Sequence, residues 1–317
     1  MDKDIDFQLW KEITRIRMTE LFIAEKYAER EMRCPVHLSL GQEIAASCLS
    51  QHLGKEDKVF SAHRAHAHYL AKGGNLGKLF GELYGKVTGC TRGRGGSMHL
   101  MDLEVGFVAA VPIVGSSIPI GVGMAWGEKL QDLHNIVVIY LGEGATEEGV
   151  FSESLDFCSL WKIPVLFIVE NNLYSIYTHV SQRQSPQRSI CKIAEAHGIK
   201  SYSANDNDPC KLSRLLKCVA DEMRITQIPI LVEVKTHRWL EHCGPNDDEG
   251  LGYREPGELK FAKSNCGLAL LERVLVEKGI PKLEFSAFKD SVSKEILSAY
   301  NDARKAEYPQ VAEILSA

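Results

Sequence analysis

Ile136 to Leu141 reads IVVIYL, an unbroken apolar run rich in β-branched residues, and PVLFIVENN from Pro164 to Asn172 repeats the pattern. Runs of this length without polar alternation predict strands buried on both faces, which only a parallel sheet covered by helices on each side provides. Between the two strands, Glu147 to Lys162 carries apolar residues at helical spacing: Val150, Phe157 and Trp161 on one face, Phe151, Leu155 and Cys158 on the next. The segment is therefore a βαβ unit with a right-handed crossover. Further signals extend it. Lys58 to Ser61 and Pro229 to Lys235 read as strands, and Ile13 to Glu31, Gln42 to Leu53 and Cys210 to Arg224 read as amphipathic helices. The expected fold is α/β, doubly wound, with a mostly parallel sheet and helices on both faces. It forms one domain over residues 1–317, with a helical C-terminal segment from about residue 256.

Such sheets bind ligands where strands end and helices begin, because the first amides of a helix offer free donors. Gly142-Glu143-Gly144-Ala145 falls at the end of the first strand and Asn171-Asn172 at the end of the second. The glycines admit close backbone approach, while Glu143, Asn172 and a following main-chain carbonyl offer hard oxygens. That set suits Mg²⁺ holding a diphosphate. His63-Arg64-Ala65-His66-Ala67-His68 follows the Lys58–Ser61 strand. Its alternating histidines lack a neighbouring carboxylate, which argues against a zinc site, whereas Arg64 is suited to clamp phosphate oxygens. For His68 a solvated surface position is the plain reading, and for Gln42 and Glu43 helix capping is as good as any other. Gly89 to His99 (GCTRGRGGSMH) is glycine-rich and basic but lacks the Lys-Ser/Thr ending of a nucleotide triphosphate loop. In Pro112 to Gly127 the glycines would allow close helix-to-helix approach. The polar stretch PNDDEGLGYREPGE after Cys243-Gly244 reads as a mobile loop.

Composition narrows the function. A net charge of −5 without basic clusters argues against a nucleic-acid surface. Nine cysteines without a CxxC pair point neither to a zinc ribbon nor to a disulfide framework. The first ten residues lack a signal-peptide core, and no run reaches membrane-spanning length. A soluble cytoplasmic protein is expected, with no nucleic-acid or membrane partner.

Gly142-Glu143-Gly144 followed by Asn171-Asn172 resembles the thiamin diphosphate fingerprint, which has Gly-Asp-Gly and Asn-Asn. HLSLGQE, HRAH, RGRGGSMHL, PIVGSSIPIGVG, GEGATEEG, ENNLY and THRWLEHCG occur in the order seen in alpha subunits of the first component of 2-oxo acid dehydrogenase complexes. The resemblance covers about Arg17 to Glu255. It implies thiamin diphosphate and Mg²⁺ as cofactors, with Glu143, Asn172 and the carbonyl of Tyr174 on the metal. It places Arg64 and His63 at the diphosphate, Gly142, Glu143, Gly144, Ala145 and Asn172 around it, and main-chain groups of Pro112 and Val114 at the aminopyrimidine. His66 and His242 would be the catalytic histidines, titrating near neutrality, and the Gly-rich loop would line the cleft with His99 near the substrate. A beta subunit would supply the activating Glu and the pyrimidine half-site in an α₂β₂ tetramer, and a lipoyl acyltransferase is a further partner. The reaction implied is decarboxylation of a pyruvate-like 2-oxo acid with transfer of its acyl unit.

Three departures qualify this. Glu143 replaces Asp. Cys243 stands at the regulatory serine position, so kinase control there is not expected. Trp239-Leu240-Glu241-His242 replaces Tyr-His-Gly-His at the substrate channel. A free-standing, transketolase-like ligase forming acyloins and a non-catalytic scaffold subunit are the competing functions. A nicotinamide oxidoreductase is disfavoured because no GxGxxG follows a strand.

Overall fold

The structure is a computed structural model that describes residues 3–32 and 34–310. Its helices are α1 (Lys3–Tyr27), α2 (Glu43–Ser50), α3 (His66–Ala71), α4 (Leu76–Leu83), α5 (Ser117–Leu130), α6 (Gly149–Trp161), α7 (Val180–Arg183), α8 (Ile190–Ala196), α9 (Pro209–Thr226), α10 (Glu258–Ser264), α11 (Gly267–Glu277) and α12 (Lys282–Lys305). The strands are β1 (Lys58–Ser61), β2 (Phe107–Ala110), β3 (Val137–Gly142), β4 (Val165–Asn171), β5 (Tyr174–Ser175), β6 (Thr178–His179), β7 (Lys200–Asn205) and β8 (Ile230–Lys235). Six of them form one sheet in the order β2-β1-β3-β4-β8-β7, every pairing parallel, and β5 and β6 make a small antiparallel ribbon. The fold is doubly wound, as expected.

The apolar runs have the expected cause. Val138 and Tyr140 of β3 enter one core with Leu166 and Ile168 of β4, while Val137, Ile139 and Leu141 enter a second core with Val165, Phe167 and Val169. A strand with both faces dry has no polar alternation to show. The first core is closed by residues of α1, α2, α4, α9, α11 and α12, and the second by those of α5, α6 and α8.

Several local expectations change. Glu143–Glu147 is a 3-10 turn, and α6 begins only at Gly149. Helix α1 is shifted toward the N-terminus, at Lys3–Tyr27. Strands β2 and β7, edge strands of mixed burial, were not foreseen because they carry no long apolar run. Gly121 of α5 packs on the sheet rather than on a helix: a Cβ there would lie 2.6 Å from Ile139 Cδ1, whereas Gly123 and Gly127 face open space. No helix among the described residues is long and apolar enough to cross a membrane.

Candidate active site

Because the chain leaves β1 for β2 on one side and reaches β3 on the other, the order 2-1-3 makes a topological switch point between β1 and β3. Crevices at such points hold the ligands of doubly wound sheets. A cleft of about 230 Å³ lies there, lined from the ends of β1 (His63, Arg64), β3 (Gly142, Glu143, Gly144, Ala145) and β4 (Asn172, Tyr174). Pro112, Val114, His37, Arg238 and His242 complete it. The two clusters that defined the sequence pattern thus share one cavity.

Arg64 is buried, yet among the described residues no carboxylate lies within ion-pair distance of it. Its Nη1 donates to Leu38 O at 2.6 Å and its Nη2 to His242 O at 2.9 Å. Burial first, then the neighbouring Arg238 guanidinium, lowers its pKa to about 9. A desolvated cation held only by carbonyls is an anion site in waiting. Arg238, which the sequence reading passed over, lines the same cavity but is neutralised by Asp248 at 3.2 Å. Asp248 also takes Arg254 Nε at 2.8 Å and the hydroxyl of Tyr253. The polar stretch expected to be a mobile loop is therefore pinned by a buried carboxylate and two buried guanidinium groups. The signal was present as DD and YRE in PNDDEGLGYREPGE, but nothing local says those charges turn inward.

The histidines sort differently from the sequence reading. His63 and His242 face the cleft together with His37, ring centroids 4.7 to 5.1 Å apart. Burial, then Arg64, pushes their pKa values down to about 4 for His63, about 3 for His242 and about 2 for His37. They are neutral at pH 7 rather than titrating near it. Although their ring nitrogens lie within 4.8 Å of one another, the trio lacks a carboxylate and sits beside Arg64 and Arg238, which opposes a divalent cation. His66, expected to face the reacting centre, is fully buried away from the cleft. Its Nδ1 is 2.7 Å from Glu20 Oε1 and its Nε2 is 2.7 Å from Ser97 Oγ. As the first residue of α3 it turns inward, whereas His37, from the HLSLGQE segment, lines the cleft. His68, read as a surface residue, is buried, stacked on Tyr140 at 3.9 Å and 3.2 Å from Glu170.

The Gly-rich segment does cradle an anion, but an internal one. The amides of Thr91, Gly93, Gly95 and Gly96 donate to the Glu82 carboxylate at 2.7 to 3.0 Å. Its Met98 reaches the cleft, while His99 is exposed and outside it. Neither Gln42 nor Glu43 caps α2. Gln42 Oε1 accepts Asn172 Nδ2 at 3.0 Å, and Glu43 pairs bidentately with Arg17.

At the carboxylate end of the cleft, Asn172 Oδ1 accepts the amide of Tyr174 at 2.9 Å, which turns the chain so that both residues line the cavity. Leu173 (φ 71°) and Ile176 (φ 55°) flank Tyr174 in the left-handed region, strain of the kind that concentrates at functional sites. A Cβ on Gly142 would meet no protein atom within 4 Å. The residue lines the cleft, so that space opens into it. Glu143 is buried, which raises its pKa against the opposing pull of Arg183, whose Nη2 lies 2.5 Å from Oε1.

A doubly wound parallel sheet with a buried arginine, hard oxygens and neutral imidazoles at its switch point has the architecture of an α/β enzyme. Residues 11–312 match the profile of the family described as "Dehydrogenase E1 component". The pyruvate dehydrogenase E1 component subunits alpha of Rickettsia bellii and Rickettsia typhi are 30% and 31% identical over 306 residues, covering 96% of this chain and 93% of each relative. A chloroplastic subunit alpha-3 of Arabidopsis thaliana is 30% identical over 321 residues, covering 99% of this chain and 74% of its own. The chain belongs to the dehydrogenase E1 component family, as an alpha subunit of the first component of 2-oxo acid dehydrogenases.

Proposed function

We propose that the cleft is the diphosphate half of a thiamin diphosphate and Mg²⁺ site, completed by a beta subunit, and that the assembled enzyme decarboxylates a pyruvate-like 2-oxo acid. The observation that carries this reading is Arg64, a buried guanidinium without a carboxylate, facing the same cavity as Glu143, Asn172 and Tyr174. A diphosphate would supply the anion that Arg64 lacks. The Glu143 carboxylate, Asn172 Oδ1 and the Tyr174 carbonyl would hold the metal, a hard-oxygen set that Mg²⁺ prefers. Gly142, Gly144 and Ala145 would let the diphosphate approach the backbone, and His63 would lie beside it. Pro112 and Val114 at the cleft mouth would offer main-chain groups to the pyrimidine.

Bound there, thiamin diphosphate supplies the carbon nucleophile and electron sink for loss of carbon dioxide. The chain's own part is orientation and proton handling. His242 and His37, neutral in the partly buried trio, can each accept a proton at a ring nitrogen or hydrogen-bond the carboxylate and carbonyl of a 2-oxo acid. An anion beside Arg64 would offset the charge that now depresses them and raise their basicity. His66 keeps no catalytic role here. It acts as a brace between α1 and the Gly-rich loop, through Glu20 and Ser97.

The partner reading rests on a separate feature. Ile113 is 71% exposed at the cleft mouth, next to Val114, and the packed pair α5 and α6 exposes Ile120, Met124, Phe157, Leu160 and Trp161, with Phe157 and Trp161 both against Trp126. Apolar surface of that extent is expected where another chain docks, and a cleft of about 230 Å³ is small for the whole cofactor. We assign the face to the beta subunit of an α₂β₂ assembly. Titrating thiamin diphosphate and Mg²⁺ into the reconstituted pair, read by cofactor circular dichroism and by carbon dioxide release, tests the proposal. Saturable binding with turnover is expected, and no binding at millimolar metal would end it. Reductive acylation of a lipoyl peptide, against acyloin formation from an aldehyde, identifies the acceptor.

A further inference from the structure

Glu143 has a cation already. Arg183, the last residue of α7, places Nη2 2.5 Å from Glu143 Oε1, directs Nη1 to Glu147 Oε1 and donates from Nε to Thr178 O at 3.1 Å. Every nitrogen of the guanidinium is therefore engaged. The side chain is mostly buried, as is that of Glu143. The segment carrying it is clamped to the same turn a second time, by Arg188 Nη1 on Thr146 Oγ1 at 3.1 Å and Nη2 on Thr146 O at 2.6 Å. Gly144 stands beside this contact, where a Cβ would lie a tight 3.0 Å from Ser175 Oγ and an ordinary 3.6 Å from Arg183 Nη1.

We propose that Arg183 is a built-in competitor for the metal carboxylate, so that a divalent ion takes Glu143 only as the guanidinium is displaced and the 178–188 segment loosens. The inference rests on the reading of Glu143, Asn172 and Tyr174 as metal ligands. Two charges decide its direction. A guanidinium on Oε1 cancels much of the negative charge that attracts the ion, and the two cations repel each other across one carboxylate. Glutamate in place of aspartate supplies the reach: the extra methylene lets the carboxylate meet Arg183, whereas Mg²⁺ in the cleft demands short, exact distances. The nearby charges do not reverse this. Glu147 is shared by the same arginine, Arg188 adds a second cation, and Glu170 lies across the cleft 3.2 Å from His68.

The test uses the alpha subunit reconstituted with its beta subunit, saturated with thiamin diphosphate, and counts free Mn²⁺ by electron paramagnetic resonance. R183Q is expected to bind Mn²⁺ roughly tenfold tighter than the natural chain, the order of effect of one partly buried ion pair. E143D, which leaves every contact of Arg183 except that to Glu143, is expected to tighten binding similarly, and to add little once R183Q is present. Amide exchange provides a second readout: Mn²⁺ should speed exchange in residues 178–188 of the natural chain but not of R183Q. Equal or weaker Mn²⁺ binding by R183Q, with E143D unchanged, overturns the inference and leaves the metal reading standing. Absence of Mn²⁺ binding in all the variants overturns both.

Discussion

Asp206 stands at the end of β7 with its carboxyl buried and its Oδ2 without a hydrogen-bond partner. Burial, opposed by the Thr236 side chain, pushes its pKa up to about 7. The folded value lies above the unfolded one, so the fold binds a proton that the unfolded chain releases. Stability is lost as pH rises from about 4 to about 7 and stays low above that. D206N keeps the shape of the neutral acid. It should match the natural chain near pH 3 and be more stable by roughly 4 kcal/mol at pH 8, as read from urea midpoints at the two pH values. The cleft histidines work in the opposite sense: their depressed values favour the fold above pH 6.5 and oppose it as pH falls. Little in the sequence distinguishes the histidines of HLSL and HRAH. What separates His37 and His63 from His66 is which way each backbone turns after its strand or loop.

Helix α2 is placed by the glycine before it. Gly41 has φ +90°, and a Cβ there would lie 2.2 Å from His237 O and 2.4 Å from Trp239 Cδ1. The close approach lets Leu40 O accept Trp239 N–H at 3.0 Å and brings Gln42 onto Asn172. G41A meets both a left-handed penalty and a backbone clash, and should cost roughly 3 kcal/mol of unfolding free energy in a denaturant titration. Any fraction that still folds should bind cofactor weakly, because Asn172 loses its partner. The Gly-rich loop carries the complementary lesson. Read from the sequence as a cleft-lining loop, it instead turns its amides onto an internal anion, Glu82 of α4.

At the scale of the molecule, the two cores are dry, and α5, α6 and the 113–114 turn carry several of the exposed large apolar side chains, others being scattered from Ile5 to Tyr308. Leu160 is 74% exposed and Trp161 50%, so charge there costs the isolated subunit little. The double variant L160E/W161E should leave the thermal midpoint of the alpha subunit within about 2 °C of the natural value, since exposed substitutions are nearly neutral. It should abolish co-elution with the beta subunit in gel filtration. Co-elution that persists would move the partner face elsewhere.

By itself the sequence determined the parallel sheet, because strands dry on both faces must be apolar at every position, and it determined the chemistry at the tips of β3 and β4, because Gly142-Glu143-Gly144 and Asn171-Asn172 are contiguous words. The tertiary structure alone decided which charged groups meet. Arg183 on Glu143, Asp248 under Arg238 and Arg254, and His37 beside His63 and His242 join residues up to 205 positions apart. Pairings at that range follow from where the strands cross and where side chains escape water, and no local pattern encodes either.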